Sequence, residues 1–168
     1  LTGKCPARLG LTNFIGGKSR GKLLEVPFID HMPGNEWTLA QALRAGGYRT
    51  YHVGKWHLGR EEFWPDRRGF EINLGGCNWG GPHNGYFAPY GLPTLAEGAA
   101  GEYLTDRLTD EAIRLIEMNG NQPFFLNLWY YAVHIPVQAP EGLIKKYQEK
   151  VRDLGLDRVQ TFAEGDTF

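Results

Sequence analysis

A lysine and a histidine flank a single tryptophan in Gly54-Lys55-Trp56-His57, and this pairing of a cation with an imidazole is the strongest chemical signal in the sequence. On an extended segment residues i and i+2 point to the same side. Lys55 and His57 are therefore expected to converge on one ligand while Trp56 packs the other way. A fixed ammonium beside an imidazole that titrates near neutrality suits a tetrahedral oxyanion. Gly54 and Gly59 bracket the pair, and glycine permits the close approach or positive φ needed where a chain leaves a sheet. Open α/β sheets place their ligands at such strand ends. A solvated lysine and a satisfied histidine fit the bare K-x-H spacing as well, so the surroundings have to decide.

His134 occupies a similar position. It follows the apolar run 124–131 within Ala132-Val133-His134-Ile135-Pro136, where a lone histidine before a proline reads as a loop residue or a capping donor. His52 lies inside the strand that leads to Lys55, where packing or a backbone hydrogen bond is its expected role. His31 and His83 sit in polar, proline-flanked loops and are cleft residues or plain loop residues. Asn78 and Trp79 lie in the glycine-rich stretch Gly75-Gly76-Cys77-Asn78-Trp79-Gly80-Gly81. Aromatic faces there suit a sugar ring or an aryl group, or simply the core.

The elements that must position these groups alternate helix and strand. Thr38 caps a helix running to about Ala45, with Leu39, Ala42 and Leu43 on one face and Gly46-Gly47 as its stop. A strand over 48–54 follows. A second helix over 103–118 carries Leu104, Leu108, Ala112, Leu115 and Ile116 at helical spacing and ends at Asn119-Gly120. The run 124–131 reads as a buried strand. Helix then strand, twice, predicts a parallel sheet covered on both faces. Between them, 69–101 reads as a long ordered loop, because Phe70, Trp79, Tyr86, Phe87 and Tyr90 supply apolar area among its glycines and prolines.

Composition removes several function classes. The 168 residues carry 18 basic and 19 acidic side chains, a net charge of −1, which gives no electrostatic case for nucleic acid. No apolar run reaches membrane-spanning length. Two cysteines define no disulfide framework and no C-x-x-C zinc site. Cys5 reads as a packed or incidental thiol, and a Cys5–Cys77 bridge stays open. Ser19 is the only serine and lacks a G-x-S-x-G elbow. Gly16-Gly17-Lys18-Ser19 lacks the Walker spacing of a phosphate loop. Asp106, Asp110 and Glu111 fall on the second helix as solvated or dipole-favourable charges rather than metal ligands.

The string Gly47-Tyr48-Arg49-Thr50-Tyr51-His52-Val53-Gly54-Lys55-Trp56-His57-Leu58-Gly59 resembles the second signature of the sulfatase family, G-Y-x-T-x-x-x-G-K-W-H-L-G, at every fixed position. Leu1-Thr2-Gly3 resembles the tail of the first signature, in which C-x-P-S-R precedes L-T-G. Cys5-Pro6-Ala7-Arg8 does not supply that motif, because its Pro and Arg stand in the wrong register.

The resemblance implies an alkaline-phosphatase-like α/β/α sandwich with a mainly parallel central sheet, incomplete in this chain. Residues 1–168 are then part of the N-terminal catalytic domain, lacking its first strand and the C-terminal portion. It further implies a sulfuric ester hydrolase acting on a sulfated small molecule, an aryl sulfate or a sulfated glycan, with an extracytoplasmic location. Lys55 would bridge sulfate and a formylglycine nucleophile expected upstream of Leu1. His57 would serve that nucleophile, and His134 would contact the sulfate and the leaving-group oxygen. Asn78, Trp79 and His83 would lie near the pocket as specificity residues. The family's calcium, or magnesium, is expected to take its ligands from outside this chain. A catalytically silent chain with an uncovered sheet edge is the corresponding expectation. Two alternatives stand beside it: a phosphomonoester, phosphodiester or phosphonate hydrolase of the same superfamily, and an inert fragment or binding module.

Overall fold

In a computed structural model, which describes residues 1–18, 21, 22, 24 and 26–158, Thr38 opens helix α1 (Leu39–Ala45) with a reciprocal cap. Its hydroxyl accepts from the Gln41 backbone at 3.1 Å, and the Gln41 side chain accepts from the Thr38 backbone at 2.9 Å. Two donors that the first turn leaves unpaired are thereby satisfied. The helix stops at Gly46-Gly47, and strand β1 (Arg49–Gly54) follows. Ser19, and with it the phosphate-loop reading, lies outside the described residues.

The second pair of elements matches the apolar spacing too. Helix α2 (Leu104–Asn119) buries Leu104, Leu108, Ala112 and Leu115, each leucine contributing about 1.5–3 kcal/mol. Strand β3 (Phe124–Trp129) is shorter than expected, ending before Tyr130 and Tyr131, and it is an edge strand with Asn127 as its one buried residue rather than a buried strand. The stretch expected to be loop throughout contains a short strand, β2 (Ile72–Leu74). The sheet has order β2-β1-β3, and both pairings are parallel. Its register sets His52 opposite Asn127 and Gly54 opposite Trp129, so β1 and β3 end level with one another.

Alternation along the strands gives the sheet two buried faces. Tyr51 and Val53 pack with Leu126 and Leu128 against Leu104, Leu108 and Leu115 of α2. On the opposite face Phe70, Trp56 and Phe125 pack with Ala40 of α1. This is the helix–sheet–helix layering expected, with β1 central. The long segment after β2 contributes Tyr86, Tyr90, Leu92 and Leu95 to the α2-side core. Cys5 and Cys77 are both free thiols, which closes the bridge alternative.

The chain divides into two units, Leu1–Val137 and Gln138–Phe168. The described part of the second holds helix α3 (Glu141–Asp153), with Ile144, Tyr147 and Val151 at helical spacing and a Glu141–Lys145 ion pair of 2.6 Å. No described helix is long and apolar enough to cross a membrane.

Candidate active site

The two residues singled out after β1 do converge, but by a different geometry from the extended one expected. β1 ends at Gly54, and the Lys55 backbone N–H donates to the Trp129 carbonyl at 2.7 Å. Trp56 between them is buried, its indole donating to the Phe63 carbonyl at 2.8 Å. His57 then adopts φ 58, a left-handed conformation that costs a non-glycine residue roughly 1–2 kcal/mol. Its backbone N–H donating to the Cys77 carbonyl at 2.9 Å helps hold it there. The turn, rather than strand alternation, brings Lys55 and His57 onto one open cavity of about 320 Å³, which Pro6, Asn13 and Ile15 also line.

Charge in this cavity has one sign. Burial pulls the Lys55 ammonium below its usual pKa, and among the described residues no carboxylate pairs with it. The His57 imidazole is also held below its usual value, first by burial and then by the positive charges of Lys55, His134 and His83. The opposing influence is the Ile15 carbonyl, 3.0 Å from His57 Nε2. A carbonyl only accepts, so Nε2 carries the proton and Nδ1 is left to exchange one. Lys55, His83 and His134 each lie within electrostatic reach of His57.

His134 follows β3 through a turn anchored from below. Tyr131 is buried and donates to the Gly75 carbonyl at 2.8 Å. The buried Tyr86 hydroxyl lies 2.8 Å from the Tyr131 carbonyl and 2.9 Å from that of His134. His134 itself is exposed, and its Nδ1 lies 2.8 Å from the Ile135 carbonyl. That contact places a proton on Nδ1 and turns Nε2 outward as the working nitrogen.

Sequence reasoning missed the pieces between the two imidazoles. Gly80 lies against His57, where an added Cβ would meet Cε1 at 2.6 Å, and Gly81 lies against His134, where it would meet Nδ1 at 2.5 Å. The Gly-Gly doublet was the only available signal, and nothing in it indicates what it packs against. Trp79 and His83 stack, with ring centroids 4.2 Å apart, and His83 acts on His57 as stated. Asn78 is exposed, and no contact ties it to the cavity. His31 is occupied elsewhere, stacked on Phe63 at 4.1 Å and paired with Asp30 at 3.0 Å. His52 is buried and bonded to backbone, the role expected of it. Glu111 is engaged by Arg107 at 3.1 Å and by Arg114, and is not simply solvated.

Such a site can bind a tetrahedral anion through Lys55 and exchange protons through His57 Nδ1 and His134 Nε2. Among the described residues no three of His, Cys, Asp or Glu gather as a metal site. Neither cysteine fits a nucleophile at the cavity. Cys77 is buried with its thiol pushed up by desolvation, and Cys5 is not among the lining residues.

Comparison with known proteins places the chain in a family. The profile of the family described as Sulfatase matches residues 1–162. Arylsulfatase J of Mus musculus is 30% identical over 162 residues, covering 88% of this chain and 26% of its own length. N-acetylgalactosamine-6-sulfatase of Sus scrofa is 28% identical over 183 residues, covering 92% of this chain and 34% of its own. Ps i-CgsB, solved in complex with k-i-k-neocarrahexaose, superposes with a TM-score of 0.64 at 26% identity over 88% of this chain and 36% of that one. The chain spans well under half the length of these relatives. With the family profile covering nearly the whole sequence and the K-W-H string at the heart of the cavity, the chain belongs to the sulfatase family.

Proposed function

We propose that the whole protein hydrolyses sulfate esters, with Lys55 and His134 holding the sulfate oxygens and His57 exchanging a proton with the nucleophile. The observation that carries this reading is the convergence of Lys55 and His57 on one cavity, with the adjoining Gly80 and Gly81 packed against His57 and His134 respectively. A sulfate monoester is a tetrahedral anion, and a preorganised ammonium is worth most where charge redistributes during S–O cleavage. Protonated His134 donates from Nε2 to the departing oxygen, while the Ile135 carbonyl keeps the other nitrogen oriented. His57, tethered by Ile15, presents Nδ1 for proton exchange.

The proposed substrate class is a sulfated glycan or an aryl sulfate, with the Trp79–His83 stack as a face for a ring. Asn78 joins this proposal as an exposed polar neighbour of Trp79. Residues 1–168 serve as part of the N-terminal catalytic domain, and the whole protein works outside the cytoplasm. Calcium or magnesium belongs to the proposal for the whole protein only. The described residues do not fit such an ion.

The experiment assays the whole protein against aryl sulfates and the matching aryl phosphates. Preference for sulfate, with Lys55→Ala lowering kcat about 100- to 1,000-fold, supports the reading. A clear preference for phosphate overturns it in favour of a phosphoester hydrolase.

A further inference from the structure

β1 carries one imidazole with no route to water. His52 is fully buried, with the rings of Trp56, Phe70 and Trp129 at 5.1, 5.4 and 5.8 Å between centroids. Burial pushes its pKa down to about 4, so it is neutral and must satisfy one donor and one acceptor nitrogen. Nε2 lies 3.0 Å from the Gly54 carbonyl, the peptide group that leads into Lys55. Because a carbonyl cannot donate, the proton sits on Nε2. Nδ1 is then an acceptor, and the Asn127 amide nitrogen 2.9 Å away is its donor. Asn127 is also the residue opposite His52 in the β1–β3 ladder.

These contacts form a chain of constraint. β3 fixes the ring through Asn127, the ring fixes the backbone at the end of β1, and the next side chain is the cavity ammonium. We infer that His52 is a positioning residue for Lys55, a neutral Nε2-protonated imidazole locked by Asn127 that holds the Gly54–Lys55 backbone so that the ammonium faces the cavity. The importance of that ammonium rests on the sulfate-ester reading above. The lock itself is a property of this chain and is testable without turnover.

A purely space-filling role makes a different forecast. Phenylalanine at 52 fills the same aromatic box but leaves the Gly54 carbonyl without its donor and the Asn127 amide without its acceptor, whereas glutamine keeps a donor within reach of the carbonyl.

Ring-nitrogen NMR of residues 1–168 labelled with 15N-histidine gives the first readout. His52 is expected as the Nε2-protonated neutral tautomer, unchanged between pH 8 and pH 5. A proton on Nδ1, or titration in that range, overturns the lock. The second readout is the 13C-dimethyl signal of reductively methylated Lys55. In His52→Phe this signal is expected to shift toward that of an exposed lysine and its titration midpoint to rise, while His52→Gln keeps the wild-type values. An unmoved Lys55 signal in folded His52→Phe refutes positioning. Should that variant fail to fold, Asn127→Leu, which removes the lock from the other strand, must move the Lys55 signal or the inference falls.

Activity of the whole protein separates the two ideas. His52→Phe is expected to lower kcat about 10- to 100-fold with a smaller change in KM, as a misplaced catalytic group does. If the Lys55 signal moves but neither His52→Phe nor Lys55→Ala affects hydrolysis, the positioning stands and the role of Lys55 in sulfate chemistry is lost.

Discussion

Gly81 lies so close to His134 that a methyl group on its α-carbon would meet Nδ1 at 2.5 Å. The closest clash falls on the ring of an exposed side chain, which can swing aside, and the Ile135 backbone carbonyl at 3.2 Å has to give only slightly. Gly81→Ala should therefore leave the melting temperature within a few degrees of wild type, since surface adjustments of this kind usually cost under about 1 kcal/mol. Displacing the imidazole should lower kcat of the whole protein by about 100-fold. Wild-type turnover in a folded Gly81→Ala protein shows that His134 does not act from this position.

Tyr86 supports the same turn from the core. Its hydroxyl reaches the carbonyls of both Tyr131 and His134, and both carbonyls lose that donor in Tyr86→Phe. The expected cost is about 1–3 kcal/mol in urea unfolding. Activity should fall with it, because the residue before Ile135 is then less firmly held. Unchanged stability would mean that water replaces the hydroxyl in solution.

Arg68 presents a sharper stability test. It is 4% exposed, and its guanidinium donates to the carbonyls of Pro33, Gly34 and Glu36 at 2.7–3.0 Å. Arg68→Met keeps much of the length and none of the donors, so unfolding free energy should fall by about 3 kcal/mol. A loss below 1 kcal/mol, read from equilibrium denaturation, contradicts the cage.

Acid should unfold the chain in a window set by His52. In the unfolded state this imidazole binds a proton near its model value of 6.5, and in the folded state only near about 4. Between those values the unfolded state holds more protons, so stability rises with pH there and is lost as pH falls from about 6.5 to about 4. The full difference is roughly 3 kcal/mol. His57 shifts in the same direction and adds to the slope. Denaturation midpoints measured across this range should fall steadily with acid, and His52→Gln should flatten the curve.

The sequence made α1, β1, α2 and β3 legible because each has a local cause: a Thr38 cap, a glycine stop, or leucines at helical spacing. β2 escaped because Ile72–Leu74 is too short for periodicity to speak and is flanked by residues that read as loop. α3 carries Ile144, Tyr147 and Val151 at helical spacing, but its composition is mostly polar and charged, so the apolar stripe is a weak signal. Lys55, His57 and His134 were legible from a signature string and a strand end. Their arrangement was not, since the left-handed turn at His57 and the wedge of Gly80 and Gly81 depend on partners distant in sequence. The basic contribution of His83 was only partly visible, because electrostatic reach is a property of folded distance.

The unlike fates of the two thiols make this chain easy to instrument. Cys77 is sealed in the core with its proton held tightly, so it resists alkylation while the fold persists. Cys5 stands in solvent beside Pro6, which lines the Lys55 cavity. A maleimide fluorophore or nitroxide added to the wild-type polypeptide therefore lands at one defined address beside the Lys55 cavity, without any engineered substitution.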